Sequence, residues 1–333
     1  MKIMTVMITS IGSVTAQGVI KGLRAQSECA VRIISTDMKA NNAGRYFSDA
    51  FYQVPRPSDD TYLAVLLEIC KNERVDLLIP IHDQELLPVA EHAHAFTALN
   101  CVAVVSNPDT IRICHDKYQT YHFFKRIGIE TPMTFRAEEV LSGAARIEYP
   151  AFLKPAKGAA AIDTYVVRDK EELAQLARRV NEPLVQELED GTEFSVDVLA
   201  DFGGAVLGVV PRTRDETRHG ASYKGTTVRD EEIIRKATSI AERLQIIGPC
   251  NIQCFKTTQG RIVFFEVNPR FSATHAHTIA SGMNTPHLLL KMLKGDHLEP
   301  MRGAFEDGLT MYRYWREVFV DKQGKRVHEG YSL

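Results

Sequence analysis

The first hundred residues alternate apolar segments of strand length with amphipathic segments of helical length, and this alternation restricts the fold most. The runs IMTVMIT, VRIIST, DLLIPI and CVAVV predict strands, and the segments between them predict helices over 15–24, 62–70 and 84–94. Strands that alternate with helices at this spacing are typical of βαβ units with a parallel sheet. We therefore predict an N-terminal Rossmann-like domain over residues 1–106, with ligands at the carboxyl ends of its strands.

The glycines after the first predicted strand do not encode a dinucleotide site. Gly12 and Gly18 are spaced G-x5-G, whereas close approach to a pyrophosphate uses G-x-G-x-x-G. Asp37 at the end of the second predicted strand does fit such a site. A structural or substrate-facing Rossmann-like domain is therefore favoured over an NAD-binding one.

Charge and composition exclude several classes of partner. Forty basic and forty-two acidic residues leave a formal charge of -2, so no global surface for nucleic acid or an anionic membrane is expected. No apolar stretch approaches the roughly 18 residues that span a bilayer. The six cysteines are scattered, which fits reduced thiols and a cytoplasmic location. We expect small-molecule substrates as partners. A homodimer is the assembly that we consider for the chain.

The rest of the chain predicts a helix that bridges into a second unit. Asn107 and Pro108 are typical of a helix start, and Gly128 of a helix end. Beyond it, apolar runs predict strands at 193–200, 204–210, 250–256 and 261–267, with a helix near 230–246. This pattern favours an antiparallel sheet in the C-terminal part.

A predicted hairpin, NIQCFKTTQGRIVFFEVNP, brings three oxygen ligands together. If Gln259-Gly260 forms a two-residue loop, Thr258 pairs with Arg261 and Gln253 lies opposite Glu266. Side chains alternate with period two, so Asn268 shares this face. Oxygen ligands with one carboxylate suit Mg²⁺ held jointly with phosphate oxygens. The alternative is the polar, solvent-facing side of an edge hairpin.

Two lysines could add phosphate-binding charge. Lys154 ends an apolar strand in FLKPAKG and precedes a loop of small residues, where a point charge and backbone N–H groups can hold phosphate. Lys117, in HDKYQTYHFFKRIG, could supply a second charge. A surface lysine at a strand end is the alternative for Lys154.

Four segments, in this order, resemble the ATP-grasp superfamily, especially the carbamoyl phosphate synthetase large subunit and related carboxylate-amine ligases. They are DK at 116–117, FLKPAKG, VQELEDGTEFSVDV and NIQCFKTTQGRIVFFEVNPRFSATHAHTIASG. The resemblance implies the ATP-grasp fold, α/β and α+β, in three parts: a Rossmann-like domain (1–106), a linker helix with a lid subdomain (107–188), and a C-terminal antiparallel-sheet subdomain with the metal site (189–333). It also implies ATP and one or two Mg²⁺ ions as cofactors, with Mn²⁺ as a substitute.

The same resemblance implies roles for particular residues. ATP phosphates would contact Lys117, Lys154 and Gly158; the adenine would contact Gln186, Glu187, Leu188 and Glu189, and the ribose Glu193. Magnesium would be held by Gln253, Glu266 and Asn268, with Arg270 stabilising the acyl phosphate or the transferring phosphoryl group. One departure is the phosphate loop, KGAAAIDTYVV, which is alanine-rich where the family is typically glycine-rich. Alanine restricts backbone conformations with positive φ, so lid closure could differ.

Two further groups surround this predicted site. His275 and His277 form an H-x-H pair, but on a helix two such residues point about 200° apart. Polar residues facing the substrate, or packing at a helix start, are therefore favoured over a zinc site. The stretch 209–225 reads as a charged loop, in which Arg212 or Arg214 could grip a substrate carboxylate. The alternative is a solvated loop.

The resemblance implies an ATP-dependent carboxylate-amine ligase that forms an amide through an acyl phosphate and releases ADP and phosphate. Carbamoyl-phosphate-type activation of bicarbonate or carbamate is the alternative within this chemistry. The chain carries one grasp unit, whereas the synthetase large subunit resembles two in tandem. A non-catalytic, ATP-binding regulatory protein is the alternative of a different class, which the alanine-rich loop would fit.

Overall fold

The N-terminal part is a parallel sheet with helices on both faces. A computed structural model describes residues 3–158, 161–218, 220–314 and 316–329. The strands are β1 (Met4–Ile8), β2 (Val31–Asp37), β3 (Ala50–Gln53), β4 (Leu77–Ile79) and β5 (Val102–Ala103), in the order β3-β2-β1-β4-β5. The helices are α1 (Val14–Ala25), α2 (Tyr62–Glu73), α3 (Asp83–Glu91) and α4 (Ala93–Thr97). The predicted Rossmann-like sheet is confirmed, and β3 is an additional strand that the sequence analysis missed.

Successive residues of β1 pack into two different hydrophobic cores, because both faces of the sheet are covered. Val6 and Ile8 pack with α1 and with the C-terminal part of the chain. Met7 points to the opposite side and packs with α2 and α3. One face of the N-terminal sheet is therefore joined directly to the rest of the molecule.

The bridging segment is two helices, α5 (Pro108–His115) and α6 (Lys117–Arg126), so the prediction of one continuous helix over 107–128 is wrong. Asp116 lies between them with an extended backbone, and its side chain accepts hydrogen bonds from the N–H groups of Tyr118 and Gln119. Such an aspartate caps a new helix instead of continuing the old one. Lys117 consequently becomes the first residue of α6.

A small antiparallel sheet follows. It consists of β6 (Thr134–Arg136), β7 (Ala151–Pro155), β8 (Tyr165–Val167) and β9 (Pro183–Glu187), in the order β6-β9-β7-β8. Two helices, α7 (Ala137–Ser142) and α8 (Lys170–Ala177), pack against it around their own apolar cluster. We call this unit the lid.

The C-terminal part is built on a second antiparallel sheet. Its elements are β10 (Gly191–Ala200), β11 (Val206–Thr213), β12 (Glu216–Arg218), β13 (Ala221–Thr226), α9 (Glu231–Arg243), β14 (Gly248–Thr257), β15 (Ile262–Asn268), α10 (His275–Ala280), α11 (Thr285–Lys294), β16 (Thr310–Tyr312), β17 (Val318–Val320) and β18 (Arg326–Glu329). The main sheet has the order β11-β10-β14-β15, and β12, β13 and β16 form a smaller one. The predicted antiparallel sheet is confirmed. The stretch 209–225, expected to be a loop, instead lies largely in β11, β12 and β13.

The β14–β15 hairpin reaches the predicted register by a different route. Near the turn Lys256 pairs with Ile262, so the prediction that Thr258 pairs with Arg261 is wrong by one residue. An extra residue in β15, a bulge at Phe265, then shifts the register back, since a bulge opposes two residues to one. Gln253 therefore lies opposite Glu266, as predicted.

In the ranges given above, every helix is too short or too polar to span a membrane. The proposed domain limits near 106 and 188 fall between β5 and α5 and between β9 and β10.

Candidate active site

A cavity of about 460 Å³ lies between the lid and the main C-terminal sheet. Its walls come from β7 and β9 on the lid side and from β10, β14 and β15 on the sheet side, with the β12–β13 hairpin at one edge. Of the residues proposed from the sequence, the cavity is lined by Lys117, Lys154, Gly158, Gln186, Glu187, Leu188, Glu189, Glu193, Arg214, Gln253, Glu266, Asn268 and Arg270. Segments far apart in the chain thus meet at one cavity.

The β14–β15 hairpin supplies the oxygen face of this cavity. Phe264 and Val267 of β15 are buried in the core. The bulge brings two successive residues, Phe265 and Glu266, to the cavity, which Asn268 also lines. Glu266 is 3.9 Å from the Lys117 ammonium. The three residues proposed as magnesium ligands therefore share one wall.

The Gln253 amide joins Glu266 to Arg214 along this wall. Its nitrogen donates to Glu266 Oε2 at 2.6 Å, and its oxygen accepts from Arg214 Nη1 at 3.2 Å. The donor set of one carboxylate and two amides suits Mg²⁺ shared with phosphate oxygens.

Lys154 projects from β7 into the cavity from the opposite wall. Its side chain is buried, donates to Gln186 Oε1 at 2.8 Å and lies 5.8 Å from the centre of the Phe265 ring. Burial, helped by nearby Lys117 and opposed by Glu266, lowers the pKa of Lys154 to about 7. The lysine is therefore held where a phosphate could restore its charge.

We predict that Mg-ATP binding at pH 8 takes up about one proton, because phosphate charge raises the pKa of a lysine that is mostly neutral in the empty site. Titration calorimetry in buffers of different ionisation enthalpy measures this uptake. It should fall towards zero at pH 6, where Lys154 already carries its proton, and should vanish at pH 8 in Lys154→Met. An equal uptake in the variant would assign the proton to another group.

The proposed phosphate loop contacts the start of α6. The Lys117 ammonium donates to the Gly158 carbonyl at 2.7 Å, and its backbone N–H donates to the Ala156 carbonyl. Ala161 and Asp163 have φ of 53° and 54°, conformations that glycine adopts at lower cost. The loop thus uses two glycine-like backbone positions without glycine. Ala159 and Ala160, the other alanines of the predicted departure, lie outside the described residues.

The segment proposed for adenine and ribose runs from β9 into β10. Gln186 is buried between Lys154 and Thr134, whose hydroxyl accepts from its amide at 2.8 Å. Glu187 accepts from the Met133 N–H at 2.7 Å, and Leu188 is 45% exposed beside the cavity. Leu188 therefore offers apolar surface where a purine could pack.

Two carboxylates of this segment pair with arginines. Glu189 lies 3.3 Å from the Arg261 guanidinium, and Glu193 lies 2.8 Å from Arg214 Nε. Burial raises the pKa of Glu193 against the opposing effect of Arg214. Arg214 thus lies between the proposed ribose contact and Gln253 of the oxygen face.

Arg212 does not line the cavity, in contrast to Arg214. Its side chain is 1% exposed, and its guanidinium lies 2.7 Å from Asp197 Oδ1 and 2.7 Å from the Thr274 carbonyl. Removing it from these partners would leave a buried carboxylate uncompensated. The interpretation of Arg212 as a substrate contact is therefore corrected to a structural role, and Arg214 remains the candidate.

Asp197, which the sequence analysis missed, organises the segment after β15. Its carboxylate accepts from Ser272, Thr278 and Asn251 as well as from Arg212. Burial alone would raise the pKa of Asp197, but Arg212 and the hydrogen-bond donors hold it well below its usual range. The network fixes Ser272 and Thr274, which line the cavity.

The histidine pair begins α10, and both rings are buried. His275 Nδ1 lies 3.2 Å from Asp197, and His277 Nε2 lies 2.9 Å from the Leu309 carbonyl. Burial lowers the pKa of His277 to about 4. Of the two roles considered for the pair, packing at a helix start is the one that the structure shows.

Arg270 joins the oxygen face to the N-terminal domain. Its Nε and Nη2 atoms donate to the two carboxylate oxygens of Asp83, each at 2.8 Å, and Nη2 also lies 3.1 Å from Asn268 Oδ1. Asp83 is the first residue of α3 and was not identified from the sequence. Nothing in the sequence around Asp83 indicates that this residue pairs with Arg270, which lies 187 positions away.

Comparisons with known proteins match both halves of the chain. A family described as "ATP-grasp in the biosynthetic pathway with Ter operon" matches residues 179–313. A second family, "PylC-like, N-terminal domain", matches residues 6–105. The two matches cover the parallel-sheet domain and most of the C-terminal part, including the oxygen face.

Curated relatives and solved structures agree with these matches. A carbamoyl-phosphate synthase of Methanobrevibacter smithii is 23% identical over 80% of this chain and 76% of its own length. A 3-methyl-D-ornithine–L-lysine ligase of Methanosarcina acetivorans is 26% identical over 75% of this chain and 64% of its own. The biotin carboxylase domain dimer of Hydrogenobacter thermophilus 2-oxoglutarate carboxylase, in complex with MgADP and bicarbonate, superposes with a TM-score of 0.73 at 16% identity, over 92% of this chain and 73% of that one.

The matches do not extend over the whole of every relative. This chain spans 42% and 24% of the length of two further carbamoyl phosphate synthase relatives. Residues 179–313 are thus similar to an ATP-grasp family, and the fold is that of the solved structure compared.

Proposed function

We propose that this chain is an ATP-dependent carboxylate-amine ligase with ATP and Mg²⁺ as its cofactors. The observation that carries the proposal is the convergence of Glu266, Asn268 and Gln253 on one wall of the cavity with Lys154 on the other. Phosphoryl transfer needs positioned positive charge around the phosphates more than it needs covalent catalysis. The name of the 3-methyl-D-ornithine–L-lysine ligase supports amide formation between two small molecules.

Different residues bind the phosphates, the base, the metal and the carboxylate. Lys154 and Lys117 bind phosphate oxygens, and Leu188 packs against the base. Gln253, Glu266 and Asn268 would hold Mg²⁺, which when bound neutralises charge on the transferring phosphate. Arg214 and Arg270 hold the substrate carboxylate, and Arg270 also stabilises the acyl phosphate. One carboxylate oxygen attacks the γ-phosphorus and ADP leaves. An amine then attacks the acyl carbon, loses a proton, and displaces inorganic phosphate to leave the amide.

A second candidate is carbamoyl-phosphate-type activation of bicarbonate, favoured by the similarity to a carbamoyl-phosphate synthase. One assay separates the two. We expect ADP release to depend on a particular carboxylate and amine supplied together, in a screen of amino acids and small carboxylates taken in pairs. Release with bicarbonate and ammonia alone would favour the second candidate. Mg-ATP binding without release under any condition would contradict both and support a regulatory protein.

A further inference from the structure

The ion pair between Arg270 and Asp83 places a negative charge at the proposed carboxylate position. Asp83 occupies the Nε and Nη2 side of the guanidinium with both oxygens. On its other side, Nη1 donates to the Phe271 carbonyl at 3.2 Å. The pair is mostly buried, since 16% of the arginine and 25% of the aspartate side chain are exposed. Arg270 lines the cavity and holds both oxygens of Asp83, so a ligand bound to this guanidinium lies next to the aspartate.

The position of Asp83 in the fold is that of a ligand-binding residue. It follows β4 at the carboxyl edge of the parallel sheet, where ligands of such sheets bind. Glu85, two residues later, is different: it is buried and accepts from the Thr9, Ser10 and Tyr62 hydroxyls. Glu85 thus stabilises the sheet edge, whereas Asp83 extends across to the main C-terminal sheet.

The charge balance of the pair restricts what Arg270 can bind. Asp83 is ionised, because Arg270 outweighs the effect of burial and lowers the pKa of the carboxyl. A substrate carboxylate that binds Arg270 must share the guanidinium with Asp83 or displace it. Either way two anions compete for one cation, and an isolated carboxylate in such a site is disfavoured. A substrate with its own positive charge beside the carboxylate removes this conflict.

We propose that Asp83 is a specificity-determining residue that binds the ammonium group of a substrate whose neighbouring carboxylate binds Arg270. This assignment rests on the proposed ligase function and narrows the activated carboxylate to an α-amino acid or a close ammonium-bearing analogue. The internal ion pair is exchanged for two intermolecular ones, so both protein charges stay paired. Bicarbonate and simple carboxylates lack the cation and bind poorly.

Hydroxylamine trapping tests this without knowledge of the amine substrate. The acyl phosphate that forms from a carboxylate and ATP reacts with hydroxylamine to give a hydroxamate and phosphate. The panel compares each α-amino acid with the acid that carries a hydroxyl or a hydrogen in place of the amine, such as alanine against lactate and propionate. For the best amino acid, we expect the wild-type protein to form hydroxamate at least about tenfold faster than from its counterparts.

The variant Asp83→Asn keeps the shape of the side chain and removes its charge. We expect the preference for the amino acid to fall to about threefold or less, through slower reaction of the amino acid and faster reaction of its counterparts. Asp109→Asn is the matched control, because Asp109 also lies 2.8 Å from an arginine, Arg112, on the exposed face of α5. The control should keep the wild-type preference.

The outcomes separate this inference from the proposed function. Equal rates for alanine-type and lactate-type substrates in the wild-type protein, or an unchanged preference in Asp83→Asn, would overturn the role of Asp83 while leaving the ligase intact. No hydroxamate from any carboxylate, with Mg-ATP still bound, would overturn the ligase function and this assignment with it. If Asp83→Asn does not fold, the wild-type panel decides.

Discussion

We expect Glu266→Gln to slow phosphoryl transfer by about 10²- to 10³-fold, the usual loss when one preorganised electrostatic group is removed from a transferring phosphate. The substitution keeps the size of the side chain but removes the only carboxylate among the three proposed metal ligands. The affinity for Mg-ATP should fall as well, and more Mg²⁺ should be needed for half-maximal rate. ADP release under the best substrate pair, measured against Mg²⁺ concentration, gives both values.

The control for this prediction is Glu299→Gln, an exposed glutamate paired only with His297 among the described residues. It should leave the rate and the Mg²⁺ requirement unchanged. If Glu266→Gln behaved like this control, the wall formed by β14 and β15 would not be the metal site.

Asp197→Asn should cause the largest loss of stability, about 3–5 kcal/mol, because it leaves the buried Arg212 charge uncompensated. The amide nitrogen would also face groups that donate to the native carboxylate, such as Asn251 Nδ2. We expect a clear fall in the midpoint of thermal unfolding, followed by circular dichroism.

Exposed and buried pairs can be compared directly. Asp49→Asn removes an ion pair of similar length, 2.8 Å to Arg24, whose side chains are 40% and 43% exposed. Such surface pairs contribute about 0–1 kcal/mol, so its midpoint should move little. Replacing Arg212 by Met together with Asp197→Asn should recover part of the loss. A midpoint for Asp197→Asn equal to that of Asp49→Asn would contradict the structural role of the network.

Local patterns in the sequence were enough to predict the parallel sheet, the antiparallel sheet and the pairing of Gln253 with Glu266. Alternating strand and helix segments led to the parallel sheet, and the hairpin signal brought Gln253 opposite Glu266. The predicted pairing near the turn was wrong by one residue at Thr258. The bulge at Phe265 cancels this error, so the pairing of Gln253 with Glu266 was still correct. Bulges depend on packing across the sheet, which a single strand sequence does not encode.

Features that depend on distant partners could not be read from the sequence. Asp83 and Arg270 are separated by 187 positions, and Asp197 and Thr278 by 81. An arginine in a charged stretch looks the same whether it becomes buried, as Arg212 does, or lines a cavity, as Arg214 does. Only the three-dimensional arrangement separates a solvated charge from one end of a buried pair.

Because of the bulge at Phe265, the pairing that forms the oxygen wall does not depend on the length of the hairpin turn. Pairing on the turn side of the bulge follows one register, and pairing on the cavity side follows another. Residues added or removed at the turn, in a way that keeps strand pairing, leave Gln253 and Glu266 opposite each other. One residue inserted between Glu266 and Asn268 would instead exchange cavity-facing and core-facing positions. An engineer could therefore graft a tag or sensor beside Gly260, which is surrounded by open space and is itself kept for its φ of 81°, but not beyond the bulge.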